Sequence, residues 1–167
     1  MPNALQRLWW NLSQPGWNTV RRTVHHELLG ELKYEGTRQR PGGYVNGAWR
    51  VSHPDVAKPI SVGFPTMGGE PTPKYMDRLA ELLADQDGLF ERLRPAIAPV
   101  FSKFVERPLP ADWRSVFSLD NLDLRPAPED IDEDGETWQV VYWCPPAEHW
   151  FVIALEGDAI IDVNIEG

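Results

Sequence analysis

The stretch that decides the fold is Trp138–Glu166, which reads WQVVYWCPPAEHWFVIALEGDAIIDVNIE. It contains three apolar runs rich in Val, Ile, Trp and Tyr, which are Trp138–Trp143, Trp150–Leu155 and Ala159–Ile165. The break between the first and second runs contains Pro145-Pro146, and the break between the second and third contains Gly157-Asp158. Runs of this length with short turn-forming breaks are typical of strands joined by hairpins. The sequence therefore predicts a three-stranded antiparallel β-meander at this end of the chain.

The part of the chain before this stretch divides into a strand-rich section and a helical section. Alternating or β-branched runs predict strands at Val24–Tyr34, Ala48–His53, Lys58–Phe64 and Trp113–Leu119. Apolar residues at helical spacing from Tyr75 to Val105 predict two helices separated at Asp87-Gly88. The interior prolines Pro95 and Pro99 predict a kink or a restart in the second helix.

Strands followed by helices and then by strands are typical of an α+β protein. We therefore expect one or two antiparallel sheets, built from an N-terminal and a C-terminal β-meander. The two central helices are expected to form a hairpin that packs on one face of the sheet.

The first residues of the chain predict a separate short helix. Leu5, Leu8, Trp9 and Leu12 fall on one face at helical spacing, and Pro15-Gly16 ends the pattern. Such a helix either packs on its own domain or anchors the chain to a membrane or partner. The scarcity of basic residues here favours packing. We expect residues 1–16 to be an amphipathic helix appended to a single α+β domain, residues 17–167.

Cysteine content and hydropathy predict a cytoplasmic protein. Cys144 is the single cysteine, so no disulfide can form within the chain. The sequence shows no signal peptide, and no apolar run approaches the roughly 18–20 residues of a membrane span. It also has no nucleotide-binding or zinc-binding motif, so no cofactor is expected.

Charge is distributed unevenly along the chain, whose net charge is −9. Residues 1–84 carry ten basic and seven acidic side chains, whereas residues 85–167 carry six and eighteen. An acidic half repels phosphate backbones, which argues against nucleic-acid binding and favours a basic protein partner or a cation. The alternative is that these acids only keep the protein soluble. The sequence does not distinguish a monomer from a dimer.

The acidic segment 129–136 contains the first half of a calcium-binding loop. Asp130, Asp132 and Asp134 alternate and are followed by a glycine, so their carboxylates can converge on one hard cation. The twelfth position of such a loop needs a bidentate Glu, and here it is Val141. These three aspartates are the candidate metal ligands. A solvated acidic loop is the alternative reading.

Cys144 and His149 are the candidate catalytic residues. A hairpin with a four-residue loop places them opposite each other, and a thiol beside a histidine can become a nucleophilic thiolate. No third group is positioned to orient the histidine, because Glu148 should point away from it in a strand. The alternative is a small buried cysteine with a histidine at the rim.

The segment His26–Tyr34, which reads HELLGELKY, is followed after a loop by Trp49. Together with the helical middle and the ending Ile161–Gly167, it resembles a family of small bacterial α+β proteins without an assigned activity. The resemblance extends over roughly residues 24–167. It implies an accessory protein, and some members of such groups are suspected to be immunity proteins beside secreted toxins.

Three functions follow from these patterns. The first is a non-enzymatic interaction protein, immunity-like, that binds a basic partner through its acidic half. The second is a calcium-binding module that uses the loop 129–136. The third is an enzyme that uses Cys144 and His149.

Overall fold

The computed structural model describes residues 17–39, 45–54, 56, 58–64, 70–124 and 137–167. Within these residues there are one eight-stranded sheet and two α-helices, so the expected α+β class is confirmed. The strands are β1 (Trp17–His26), β2 (Gly30–Gln39), β3 (Val45–Val51), β4 (Ile60–Gly63), β5 (Ser118–Asp123), β6 (Thr137–Cys144), β7 (His149–Glu156) and β8 (Ala159–Glu166). The helices are α1 (Pro73–Ala84) and α2 (Gln86–Val105), with a short 3-10 helix at Trp113–Ser115. The helix predicted for residues 1–16 and the acidic loop 129–136 lie outside the described residues.

The strands lie in the sheet in the same order as in the chain. Neighbouring strands are antiparallel except β4 and β5, which are parallel. Parallel neighbours need a long crossover connection, and both helices lie in the segment that joins these two strands. The expectation of purely antiparallel pairing is therefore wrong at this one join, where the N-terminal and C-terminal strands meet in a single mixed sheet.

The segment Val24–Tyr34, which is predicted as one strand, contains the end of β1 and the start of β2. Glu27–Leu29 form a turn between β1 and β2. Gly30 follows this turn with φ of 70°, a left-handed conformation that glycine adopts without steric cost. Leu28 lies in the turn and is 72% exposed, whereas Leu32 in β2 is buried. The glycine marks the end of the turn.

The two helices are separated at Asp85, two residues before the predicted break. The Asp85 carboxylate accepts a hydrogen bond of 2.9 Å from the Gly88 N–H and so caps the first turn of α2. Helix α2 then continues through Pro95 and Pro99 without a restart. The carbonyl groups that lose their donors belong to Glu91 and Pro95, which are exposed and accessible to water.

The predicted strand Trp113–Leu119 begins later than expected. The 3-10 helix replaces its first residues, and β5 starts at Ser118. The Trp113 ring stacks on Phe90 with centroids 4.4 Å apart, and its Nε1–H donates to Asp87 Oδ1 at 2.8 Å. These contacts hold the segment against α2, which explains why it does not join the sheet.

The core lies between α2 and one face of the sheet, which we call the inner face. Tyr142 of β6 and Phe151 of β7 are fully buried on this face. The Phe90 ring lies 5.3 Å from Tyr142, and the Phe101 ring lies 6.4 Å from Phe151. Full burial of each such side chain contributes about 1.5–3 kcal/mol. The opposite side, which we call the outer face, carries the residues that alternate with these in β6 and β7.

Candidate functional site

The turn between β6 and β7 brings the two candidate catalytic residues together. Cys144 and His149 are register partners, as the predicted four-residue loop requires. Within the turn, the Ala147 N–H donates to the Cys144 carbonyl at 3.0 Å. Glu148 closes the turn with φ of 56° and is exposed. The pairing of these residues is thus confirmed, and their chemistry depends on their surroundings.

Those surroundings favour a neutral thiol. Cys144 is completely buried, and this burial raises the pKa of the thiol although the Ala147 N–H and the charge of Arg107 act in the opposite direction. The His149 Nδ1 lies 2.7 Å from the Ala147 carbonyl, which can only accept, so Nδ1 carries the proton. The imidazole also packs edge-on against Phe104 at 5.0 Å. A protonated thiol in apolar surroundings acts as a small core residue and not as a nucleophile.

The candidate metal ligands Asp130, Asp132 and Asp134 lie outside the described residues, so calcium binding by the loop 129–136 stays a prediction. Within the ranges that the structure describes, no group of three or more His, Cys, Asp or Glu side chains could hold a metal ion. Neither described helix is long and apolar enough to cross a membrane.

The outer face of the sheet carries a pair of tryptophans. Trp143 of β6 and Trp150 of β7 are register partners, and their ring centroids lie 4.7 Å apart with an interplanar angle of 55°. Trp150 is 39% exposed, and Trp143 is half-buried. The next outward-facing register pair, Val141 and Val152, is also half-buried. These four side chains form an apolar strip across two neighbouring strands.

Polar and acidic residues border this strip on the neighbouring strand β8. Glu166 is the register partner of Trp150, Asn164 that of Val152, and Asp162 that of Ala154. All three β8 residues are exposed. Directly opposed residues on one face have Cβ atoms about 4.5–5.5 Å apart, so the Cβ atoms of Glu166 and Trp150 are neighbours. We define the outer-face patch as Trp143, Trp150, Val141 and Val152 with Asp162, Asn164 and Glu166.

Sequence reasoning did not identify this patch, although its signal was present. The three tryptophans of the C-terminal stretch lie in different surroundings. Trp138 is buried, and its Nε1–H donates to the Gly157 carbonyl at 2.6 Å. Trp143 and Trp150 alternate with Tyr142 and Phe151, so a period of two puts them on the opposite face.

The chain has no match among family models, curated proteins or solved structures. The resemblance to small bacterial accessory proteins therefore stays an expectation drawn from sequence layout.

Proposed function

We propose that this protein is a non-enzymatic binding protein that captures a basic partner protein through the outer-face patch. The observation that carries the proposal is the tryptophan pair Trp143–Trp150, which lies on the sheet face away from α2. This partly exposed pair leaves apolar ring surface in contact with water, and tryptophan is among the residues most enriched at interface hot spots. Val141 and Val152 extend the apolar area that a partner would cover.

The charge around the patch supports a basic partner. Asp162 and Glu166 on β8 are exposed acids within the patch. They belong to the section 85–167, in which eighteen acidic residues outnumber six basic ones. Complementary potential accelerates association and disfavours wrong partners. The immunity-like role implied by the sequence resemblance would use such a surface against a basic secreted toxin, and we assign the binding to the cytoplasm.

The two alternatives have no comparable support. The thiol of Cys144 is buried, and its raised pKa disfavours the thiolate that an enzyme using Cys144 and His149 would need. The calcium-binding alternative depends on Asp130, Asp132 and Asp134, outside the described residues. We therefore propose no second function.

The test is affinity capture from a lysate of the host with tagged full-length protein, read by mass spectrometry. Wild type is compared with the double variant Trp143→Ala/Trp150→Ala and with the control Leu28→Ala, which removes an exposed apolar side chain from the β1–β2 turn. We expect wild type and the control to retain a stoichiometric basic protein that moderate salt releases. We expect the double variant to lose it.

Far-UV circular dichroism and thermal unfolding establish that each variant is folded. Equal capture by wild type and the double variant would exclude the outer-face patch as the binding surface. Capture of no basic protein by the wild type would also contradict the proposal.

A further inference from the structure

One arrangement of three side chains recurs within the described residues: an arginine lies over an aromatic ring and also pairs with a carboxylate. The three examples are Arg78 over Trp138 with Asp158, Arg114 over Trp113 with Asp87, and Arg94 over Phe90 with Glu91. The guanidinium carbons lie between 4.6 and 5.5 Å from the ring centroids. This distance is within the range of cation–π attraction.

Each component contributes separately to this arrangement. The ring attracts the guanidinium through its negative face, and the carboxylate accepts hydrogen bonds from the edge of the same planar group. Arg94 shows both contacts, because its Nε and Nη2 donate to the two carboxylate oxygens of Glu91 at 2.8 and 2.7 Å. The two contacts are compatible because the stacked face and the donating edge of a guanidinium are perpendicular.

The outer-face patch has two of the three components. Trp150 supplies a partly exposed ring, and its register partner Glu166 supplies a carboxylate on the same face. In the part of the chain that the structure describes, the cation–π contacts involve other rings, and the salt bridges do not include Glu166. In the three examples an arginine completes the arrangement. Among the described residues, no arginine has this role beside Trp150 and Glu166.

We infer that a partner protein supplies this arginine, whose guanidinium stacks on the Trp143–Trp150 pair and donates to the Glu166 carboxylate. The inference rests on the proposed function and names the anchor by which the basic partner is recognised. Arginine fits better than lysine because its planar guanidinium can stack and donate two parallel hydrogen bonds at once. A lysine ammonium is a compact, strongly hydrated charge and offers no planar edge.

A second copy of this chain is a poorer occupant of the patch. Two patches placed face to face would bring the Asp162 and Glu166 carboxylates of both copies close together. Like charges opposed across an interface disfavour association. A basic partner is attracted by the same carboxylates.

The experiment compares two synthetic probes, acetylated and amidated octapeptides of alternating glycine with either arginine or lysine, so that length and charge are equal. Binding to the full-length protein is followed at low salt by the tryptophan indole N–H signals in NMR. Assignment uses Trp143→Phe and Trp150→Phe. We expect the arginine peptide to bind about tenfold more tightly than the lysine peptide and to shift the Trp143 and Trp150 signals.

The matched variants are Glu166→Gln and the control Glu156→Gln, which removes the same charge six residues from Trp150 along β7. We expect Glu166→Gln to weaken arginine-peptide binding about tenfold, and Glu156→Gln to change it less than about twofold. Equal affinities for the two peptides, equal effects of the two variants, or binding of neither peptide below about 10 mM would overturn the arginine anchor. The lysate capture tests the proposed function separately, because it depends on the tryptophan pair and does not require an arginine in the partner.

Discussion

Trp143 and Trp150 lie directly opposite each other on β6 and β7, on the face of the sheet that is turned away from α2. Their sequence neighbours Tyr142 and Phe151 form the same kind of pair on the inner face, where both are fully buried. Adjacent residues in two strands thus serve different purposes. One aromatic pair belongs to the core, and the other lies on the opposite face, where Trp150 is 39% exposed.

This difference predicts that two neighbouring substitutions lower stability by different amounts. Phe151→Ala should lower the free energy of unfolding by about 3–5 kcal/mol because it opens a cavity in the core. Trp150→Ala should lower it by about 1 kcal/mol or less, since it removes one cross-strand contact on a solvated face. Chemical denaturation of both variants measures the difference. Destabilisation by Trp150→Ala as large as that of Phe151→Ala would show that Trp150 is a structural residue.

The buried position of Cys144 predicts slow alkylation in the folded protein. The raised pKa keeps the thiol protonated, and burial excludes the reagent. At neutral pH, modification by iodoacetamide should be at least about tenfold slower than in denaturant, because it requires local opening. Mass spectrometry follows the reaction. Rapid alkylation of the folded protein would indicate an accessible thiolate and would support the hypothesis of an enzyme that uses Cys144 and His149.

The same pKa shift predicts how stability depends on pH. The thiol pKa is raised in the folded state above its ordinary value of 9.0, so above about pH 9 the unfolded chain loses the proton while the folded chain keeps it. Deprotonation then favours unfolding, and stability decreases as the pH rises. Cys144→Ala should lack this contribution. Its stability relative to wild type should therefore improve above pH 9, as measured by urea unfolding at pH 7.5 and 10. A difference that is independent of pH would contradict the shift.

Arg94 should be sensitive to replacement by lysine. Its guanidinium pairs with Glu91, lies over Phe90 and donates to the carbonyl groups of Pro110 and Ala111 at 2.9 and 2.8 Å. Lysine cannot make this set of contacts, so Arg94→Lys should cost about 1–2 kcal/mol of unfolding free energy. The exposed neighbour of Arg94 in α2 offers the control Arg92→Lys, which should change stability by less than about 0.5 kcal/mol. Equal effects of the two substitutions would mean that the planar group of Arg94 is unimportant.

Local patterns predicted the strands of the C-terminal stretch well and the sheet as a whole less well. Alternation and turn residues are properties of neighbouring positions, so Trp138–Glu166 showed its strands and the pairing of Cys144 with His149 directly. The parallel contact between β4 and β5 joins residues about 60 positions apart, and no local pattern records it. The turn Glu27–Leu29 was missed because Gly30 is equally compatible with a bulge and a turn.

The candidate site could likewise be predicted only in part from local patterns. The period of two separates Trp143 and Trp150 from their buried neighbours, but it does not tell which face the helices cover. That choice depends on long-range contacts such as Phe90 with Tyr142. The protonation of Cys144 likewise depends on burial, which follows from the packing of α2 and not from the identity of nearby residues in the sequence.

The most direct test of the central claim is site-specific photo-cross-linking in host cells. A benzophenone amino acid is placed at Asn164, within the outer-face patch, or at Lys103, which is exposed on α2. We expect the protein with the probe at Asn164 to cross-link a basic protein, and the probe at Lys103 to give little or none of the same product. Equal or greater yield from Lys103, or the same product from Asn164 after Trp143→Ala/Trp150→Ala, would contradict the outer-face patch as the binding site.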